Sequence, residues 1–249
     1  MYPKLFLITG VSSGIGFQVT KDLLDSGHSV LGVSRQKTVK VQTLQSAHPK
    51  NFYFEKRDLS KDIDKHPKWV LEKSKSIGTF SGFVHSAGII DILPLKALSY
   101  KSMLDLFNIN VFAGIALARG ISDKRAFSSN GGSIVFVSSI ASQSGEAGLT
   151  NYSASKAAIN GAMRAIAMEL SSQKIRVNSV LPGFTMTEMI EKHKDVYNDS
   201  YIKELNNKYP LGIGSVLDVS NTICFLLSDK SNWITGSEFQ LNGGAKLGG

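Results

Sequence analysis

The sequence contains a single cysteine, Cys224, so an internal disulfide bond is excluded. The stretch around it, TICFLLS, predicts a buried helix, and the scarcity of cysteine favours a reducing compartment. No uninterrupted apolar run reaches the roughly 18 residues that a membrane-spanning helix needs. The opening residues, MYPKLFLITG, meet a glycine too early for a signal peptide. We therefore expect a cytoplasmic protein that has no membrane partner.

The excess of positive charge is not concentrated in any one segment of the sequence. Lys and Arg number 28 against 20 Asp and Glu, which gives a formal net charge of +8. These cations are spread along the chain, without a basic run or a patch interleaved with aromatic residues, so we expect no nucleic-acid partner. A mild positive field suits an anionic cofactor or substrate better. We also expect no metal site.

Short apolar, β-branched segments alternate with longer segments of helical character along all 249 residues. Near-continuous apolar strands are typical of a parallel sheet that is covered on both faces. We found no repeats, low-complexity tracts or linkers, so residues 1–249 are predicted to form one doubly wound α/β domain of Rossmann type with about seven parallel strands. Predicted strands are 4–9, 29–34, 51–56, 82–86, 133–138, 175–181 and 238–242; predicted helices are 14–26, 38–47, 62–76, 99–127, 152–172 and 216–228.

One long segment of mixed polarity, residues 184–212, interrupts this alternation. It follows a predicted strand, and α/β folds build substrate sites at the carboxyl ends of strands. We therefore expect a helical substrate lid. Its three basic residues could meet an acidic carrier protein or a phosphate, or the charged run could form an ordinary solvated face. The charged residues are Glu188, Glu191, Lys192, His193, Lys194 and Asp195.

The stretch ITGVSSGIG joins the first predicted strand to the first predicted helix. Glycines in this position let the backbone approach a pyrophosphate, and the N–H groups of the helix N-terminus bind the anion. At the end of the second strand, where a carboxylate would bind the ribose 2′-hydroxyl of NAD, the chain has Ser34 and Arg35. Arginine suits the 2′-phosphate of NADP(H), although a surface arginine without a ligand is the alternative.

The stretch NYSASKAAI sets Tyr152 four residues before Lys156, so a helix presents both on one face. A nearby ammonium favours the phenolate, and we therefore expect Lys156 to lower the pKa of Tyr152 and make it useful for proton transfer near neutral pH. Taken alone, the pair could equally be an accident of a solvated helix.

These motifs together make the chain similar to the short-chain dehydrogenase/reductase family of single-domain type, and especially to its 3-oxoacyl-carrier-protein reductase-like members. The resemblance extends from TGVSSGIG to ITGSEFQLNGG. The family's catalytic serine lies thirteen residues before the tyrosine, which selects Ser139 in VSSIAS rather than Ser138 or Ser142. Its asparagine matches Asn110 in NINVFAG.

The resemblance implies the roles of these residues. Tyr152 donates a proton to the carbonyl oxygen as hydride arrives, Lys156 supports Tyr152 and holds the nicotinamide ribose, and Ser139 hydrogen-bonds the same oxygen. Asn110 helps bind a water molecule that links Lys156 to solvent. The implied cofactor-binding residues are Gly10, Ser12, Ser13, Gly14, Ile15, Gly16, Ser34, Arg35, Asp58, Leu59, Ser86, Ala87, Gly88, Tyr152, Lys156, Pro182, Gly183, Thr185 and Thr187.

The chain departs from the family pattern at three places. The usual N-N-A-G after the fourth strand is HSAG here, with His85 and Ser86 in place of the asparagines. We expect His85 to be a packed or ribose-adjacent residue rather than a catalyst. The tail LNGG has Asn242 where aspartate is common, and PLGIGS has no arginine near residue 212.

We expect an NADP(H)-dependent oxidoreductase that acts on a small-molecule carbonyl or alcohol, such as a 3-oxoacyl thioester or a related ketone. A dinucleotide-binding regulator without chemistry, or a sugar-modifying dehydrogenase or epimerase, is the alternative. Small residues on the 152–172 helix resemble the family's paired-helix interface and predict a homotetramer, or a homodimer: Ala154, Ala158, Gly161, Ala162 and Ala165.

Overall fold

A sheet of seven parallel strands forms the centre of the molecule. The computed structural model describes residues 3–186 and 199–245, without the side chains of residues 199–201. The sheet has the order β3-β2-β1-β4-β5-β6-β7, and the predicted parallel α/β fold is confirmed. The strands are β1 Leu5–Thr9, β2 Ser29–Ser34, β3 Phe52–Lys56, β4 Gly82–His85, β5 Gly132–Val137, β6 Ile175–Pro182 and β7 Glu238–Leu241.

The strand order reverses direction between β1 and β4. The chain moves outward from β1 through β2 to β3, then returns to place β4 on the other side of β1. In open α/β sheets this switch point opens a crevice at the carboxyl ends of the strands. Thr9 and His85 are register partners at those ends, directly before the loops that line the crevice.

Helices cover both faces of the sheet. One apolar cluster packs Trp69, Leu117 and Met163 against one face, and the other cluster packs Leu23 and Ile223 against the opposite face. Within the described ranges the α-helices are α1 Gly14–Asp25, α2 Val39–Ala47, α3 His66–Ile77, α4 Tyr100–Phe107, α5 Ala113–Ile121, α6 Thr150–Leu170, α7 Asp199–Lys208 and α8 Val216–Leu227.

The prediction of one continuous helix over 99–127 is wrong. A capping box of Ser99 and Ser102 starts α4, a π-helical turn at Asn108–Phe112 separates it from α5, and α5 ends at Ile121. The wider turn carries Asn110 into the interior, where its side chain bonds two other segments. Periodicity of apolar residues could not show this turn, because such turns are set by the contacts they serve.

By length and composition alone, the helical stretch Tyr100–Ile121 could cross a membrane. Half of its apolar 18-residue segment is buried inside the protein. The core helix of a soluble protein can have the same length and composition. The apolar residues are interrupted by glycine and polar side chains, which is why no uninterrupted run reaches the spanning length.

The predicted lid at 184–212 is described only at its two ends. The first end forms an isolated parallel bridge between Thr185 and Gly214, and the second end contains α7. The predicted cofactor residue Thr187 and the charged residues named for the lid lie outside the described residues.

Candidate functional site

A cleft of about 860 Å³ lies at the carboxyl ends of the strands. It is lined by residues from the loops that follow β1 to β6, as the strand order predicts. The predicted site residues that line it are Gly10, Ser12, Ser13, Gly14, Ile15, Ser34, Arg35, Asp58, Leu59, Ser86, Ala87, Gly88, Ser139, Tyr152, Lys156, Pro182, Gly183 and Thr185. Gly16 and Asn110 do not line it.

The glycine loop after β1 lines the cleft and has a backbone conformation that depends on its glycines. Gly10 has φ +76° and Gly14 has φ +56°, a conformation that favours glycine. A Cβ on Gly10 would lie 2.9 Å from the Ala87 amide nitrogen, so only glycine lets this loop pack so closely against the backbone that follows β4. The Ser13 side chain does not cap α1, and no acidic residue lies in its first turn. The helix N-terminus therefore favours an anion.

Gly16 has a packing role rather than a lining role. A Cβ at this position would lie 2.5 Å from the Gly10 carbonyl oxygen, because α1 crosses directly over the end of β1. Any side chain would push the helix away from the strand and change the loop between them. Gly16 thus fixes the geometry of the loop that Gly10 and Gly14 form.

The loops after β2 and β3 carry the charged end of the cleft. The hydrogen bond from the Ser60 hydroxyl lowers the pKa of the Asp58 carboxyl, and the nearby Lys61 and the exposed Arg35 lower it further. Asp58 Oδ1 accepts from Ser60 Oγ at 2.7 Å and from the Ser60 amide at 3.1 Å. The buried Ser34 hydroxyl donates to the Gln36 carbonyl oxygen at 2.7 Å. Donation from Ser34 to a 2′-phosphate stays a prediction, since the Gln36 carbonyl accepts its hydrogen here.

Ser139, Tyr152 and Lys156 lie together on one wall of the cleft. Tyr152 is on the first turns of α6 and is hydrogen-bonded to the Ser139 hydroxyl. Lys156 is buried on the next turn, with Nζ 5.5 Å from the centroid of the Tyr152 ring. Its Nζ donates to the Val137 carbonyl oxygen at 2.8 Å. The i, i+4 pair thus faces the cleft rather than open solvent.

The predicted direction of the Tyr152 pKa is wrong. Burial raises the pKa of this phenol above its usual value, and the hydrogen bond with Ser139 offsets only part of the rise. The Lys156 ammonium donates to a backbone carbonyl rather than to the phenol, and burial lowers its own pKa to about 8. Tyr152 is consequently protonated at neutral pH, and Lys156 can exchange a proton near it.

The two adjacent serines at the end of β5 have different surroundings. The Ser138 hydroxyl is buried and donates to the Lys156 carbonyl oxygen at 3.1 Å, so it ties β5 to α6. The Ser139 hydroxyl lines the cleft beside Tyr152 and also accepts from the Ala141 amide at 3.2 Å. The geometry therefore agrees with the spacing that selects Ser139.

Asn110 connects three segments behind the cleft. Its Oδ1 accepts from the Ile89 amide at 2.9 Å, and its Nδ2 donates to the Ile89 carbonyl and to Ser155 Oγ, both at 3.0 Å. A Cβ on Gly88 would lie 3.1 Å from Asn110 Oδ1 and 3.6 Å from Lys156 Nζ. The side chain is thus committed to protein partners beside Lys156, and the predicted contact with water stays a prediction.

His85 is a packed residue, as predicted from the sequence. Its side chain is buried at the end of β4, and burial lowers its pKa to about 4. One ring nitrogen lies 3.1 Å from Thr9 Oγ1 and the other lies 3.0 Å from the Ile109 carbonyl oxygen. The imidazole is therefore neutral at physiological pH and does not line the cleft.

Two residues that sequence reasoning missed hold the cleft in shape. Tyr209 is buried after α7, and its hydroxyl accepts from the Phe184 amide at 2.9 Å, which fixes the turn after Pro182 and Gly183. Glu238 on β7 accepts from the Gln143 side chain at 2.6 Å and pairs with Arg164, behind the Ser139 turn. No local pattern could find these contacts, because each joins residues far apart in the sequence.

The residues that are present fit a nicotinamide dinucleotide. A glycine loop beside a helix N-terminus without acidic residues in its first turn suits its pyrophosphate, and the polar residues after β2 and β3 suit its adenosine half. Ser139, Tyr152 and Lys156 lie at the other end of the same cleft, where a reacting group would be held.

Comparison with known proteins agrees with this geometry. The model of a family described as enoyl-(acyl carrier protein) reductase matches residues 10–246. A 3alpha-hydroxysteroid dehydrogenase of Mediterraneibacter gnavus is 30% identical over 247 residues, which cover 98% of this chain and 97% of that protein. The 3-oxoacyl-(acyl-carrier-protein) reductase FabG of Staphylococcus aureus is 28% identical over 249 residues, with 97% of each chain covered.

Two solved structures that carry a dinucleotide share the whole fold. The 4-hydroxyisoleucine dehydrogenase complexed with NADH superposes with a TM-score of 0.89 at 28% identity, covering 99% of this chain and 100% of that chain. ElxO with NADP bound superposes with a TM-score of 0.86 at 26% identity, covering 98% of this chain and 99% of that one.

Proposed function

Because the chain belongs to the short-chain dehydrogenase/reductase family of oxidoreductases, we propose that it is an NADP(H)-dependent reductase of a small-molecule carbonyl compound. The observation that carries the proposal is the joint placement of Ser139, Tyr152 and Lys156 on one wall of the dinucleotide-shaped cleft. A regulator that only binds the cofactor has no need for a buried phenol paired with a hydroxyl donor.

The side chains divide the work of carbonyl reduction. The nicotinamide supplies the hydride when it is bound. Tyr152 is protonated at neutral pH and donates its proton to the substrate oxygen. Ser139 donates a hydrogen bond to the same oxygen as negative charge develops there. Lys156, whose pKa is lowered to about 8, then returns a proton to the Tyr152 phenolate.

The protonated state of Tyr152 at neutral pH suits the reductive direction. A protonated phenol can give its proton to an alkoxide oxygen, whereas alcohol oxidation needs the phenolate as base. Reduction can therefore use the protonated phenol at neutral pH, whereas oxidation is expected to become faster in alkaline solution, where the phenolate forms.

The cofactor preference rests on Arg35. This cation lines the cleft at the end of β2, and no carboxylate follows that strand to repel a 2′-phosphate. Oδ1 of the neighbouring Asp58 accepts from the Ser60 hydroxyl rather than from the Arg35 guanidinium. Among similar structures one holds NADH and another holds NADP, so the family by itself does not select the dinucleotide.

The proposed substrate is a 3-oxoacyl thioester or a related ketone, including a steroid ketone. Both classes occur among the relatives' names, at 28% and 30% identity. We propose one domain over residues 1–249 in which the segment 184–212 acts as a lid on this substrate. A cytoplasmic location stays a prediction of the sequence.

The function is tested by following NADPH and NADH absorbance in parallel against a panel of acyl thioesters, sugars, steroids and simple ketones. We expect NADPH oxidation with at least one thioester or ketone. A protein that binds NADPH but oxidises it with none of them would be a regulator, and product formation without net redox change would indicate an epimerase.

Replacing the two adjacent serines distinguishes their roles. Ser139→Ala is expected to lower kcat by about 10²–10³-fold, the usual cost of removing one donor to a developing oxyanion. Ser138→Ala should have a much smaller effect on kcat, because its hydroxyl bonds only a helix carbonyl. Steady-state kinetics of the two purified variants measure this, and a more damaging Ser138 substitution would remove Ser139 from the mechanism.

We also propose a homotetramer, or a homodimer built on α6. Small residues on this helix face outward, including Ala154, Gly161 and Ala165, and a Cβ on Gly161 would meet nothing within 4 Å. Exposed Met103 and Phe112 flank them on the preceding helical stretch. Light scattering at micromolar concentration is expected to give a multiple of the 27.0 kDa chain mass; a monomer mass would contradict the assembly.

A further inference from the structure

The buried imidazole of His85 lies between two segments that shape the cleft. Thr9 is its register partner at the end of β1, and Ile109 belongs to the π-helical turn. The side chain of His85 is 3% exposed, and its ring meets the edge of the Phe136 ring with centroids 6.4 Å apart. Neither ring nitrogen is in contact with solvent-exposed groups, so its hydrogen bonds depend wholly on these neighbours.

The hydrogen-bond partners define which nitrogen of His85 carries the proton. The Ile109 carbonyl oxygen, 3.0 Å from Nε2, can only accept, so Nε2 must be the donor. Nδ1 is then unprotonated, and it accepts from the Thr9 hydroxyl at 3.1 Å. Among the described residues, the Val84 carbonyl oxygen is the other acceptor within reach of that hydroxyl, at the longer distance of 3.5 Å.

The orientation of the Thr9 hydroxyl affects the cofactor side of the cleft. With its hydrogen on His85, the Thr9 oxygen presents its lone pairs to the amides of Ser86 and Ala87, each at 3.1 Å. Both of these residues line the cleft. The ring is therefore connected through the Thr9 hydroxyl to two backbone amides that it does not touch.

The other nitrogen acts on the catalytic side. The Ile109 carbonyl lies one residue before Asn110, whose side chain bonds Ile89 and Ser155. Ser155 directly precedes Lys156 on α6. The position of the π-helical turn is thereby connected to the helix that carries Tyr152 and Lys156.

Gly114 on α5 makes the room that the imidazole needs. A Cβ at this position would lie 2.7 Å from His85 Cδ2 and 3.1 Å from Nε2. A side chain there would displace the ring from the Ile109 carbonyl. The helix thus packs directly against the face of the histidine, and the pair of residues is matched in size.

We propose that His85, as the neutral Nε2–H tautomer, is a positioning residue that clamps the Ile109 carbonyl of the π-helical turn to Thr9 at the end of β1. Its effect on catalysis rests on the proposed reductase function. The clamp itself is a property of the folded chain and can be tested without turnover.

Three substitutions separate the two ends of the clamp. His85→Gln keeps a donor near the Nε2 position, His85→Asn keeps an acceptor near the Nδ1 position, and His85→Phe keeps the ring but removes both hydrogen bonds. We expect His85→Phe to lower kcat about tenfold and to weaken NADPH binding several-fold, since each lost bond is worth about this much. We expect His85→Gln to recover kcat and His85→Asn to recover mainly NADPH affinity.

Phe6→Leu is the matched control, because it trims a buried ring on the adjacent strand β1 that packs in the apolar cluster on the other face of the sheet, away from the His85 ring. It should lower the melting temperature while leaving kcat and NADPH affinity near the wild-type values. If His85→Phe shows only the same loss of melting temperature, with kcat and NADPH affinity unchanged, the ring merely fills space and the clamp is refuted.

Nitrogen NMR of the wild-type protein decides the tautomer directly. The His85 resonances are assigned by their absence in His85→Gln, and we expect a protonated Nε2 together with an unprotonated Nδ1 at pH 7. A proton on Nδ1, or on both nitrogens, would overturn the proposal even if a variant fails to fold. Wild-type protein that shows this tautomer but oxidises neither NADPH nor NADH would refute the reductase function and leave the clamp standing.

Discussion

Tyr152→Phe is expected to lower kcat by about 10²–10⁴-fold, the usual contribution of a positioned general acid. The substitution removes one oxygen atom and keeps the ring, so the packing of α6 against β5 should persist. The raised pKa of the wild-type phenol keeps its proton available at neutral pH, and phenylalanine has no proton to give. Initial rates of NADPH oxidation at saturating substrate measure the effect.

Cofactor binding separates a lost general acid from a damaged fold. We expect the affinity of Tyr152→Phe for NADPH, measured by fluorescence titration, to change less than about threefold, because the phenol oxygen bonds Ser139 rather than a backbone group. The melting temperature should also stay close to the wild-type value. Near-normal turnover of this variant would remove Tyr152 from the mechanism altogether.

Arg35→Asp is expected to weaken NADPH binding by about 10–150-fold and to bring NADH to parity or better. Hydrogen bonds to charged groups contribute about 1.5–3 kcal/mol each, which corresponds to this range of affinity. The Ser34 hydroxyl donates to the Gln36 carbonyl. We therefore expect Arg35 to account for most of the preference for NADPH over NADH. The introduced carboxylate also repels a 2′-phosphate and can accept from a ribose hydroxyl.

Lys37→Asp provides a control with the same change of net charge. Lys37 is exposed two residues further on and lies over the Phe54 ring, 5.8 Å from its centroid, rather than lining the cleft. It should leave the ratio of NADPH to NADH affinity within about twofold. Wild-type protein that uses NADH as well as NADPH would show that Arg35 does not discriminate between the two dinucleotides.

Local rules made much of the cleft predictable from the sequence. The glycine loop between strand and helix, and the four-residue spacing of Tyr152 and Lys156, involve only residues that are neighbours along the chain. Alternating apolar segments predicted the strands and most helices because burial on both faces demands that pattern. The parallel order of the sheet then brought the loops after the strands together at one edge.

Tertiary contacts decided the chemistry within that frame. The sequence predicted that Lys156 lowers the pKa of Tyr152, but burial raises this pKa because desolvation disfavours the charged phenolate. The Lys156 ammonium does not offset this effect, since it donates to the Val137 carbonyl oxygen. The π-helical turn at Asn110 likewise depends on partners that come from Ile89 and Ser155.

The sequence by itself therefore determined the fold, the position of the cleft and the residue types around it, because these follow from periodicity, glycine conformation and spacing. Only the tertiary structure decided which hydroxyl hydrogen is free, which ring nitrogen of His85 is protonated and how strongly each titratable group holds its proton. Those properties depend on desolvation and on hydrogen-bond partners that are distant along the chain, and no local pattern encodes either.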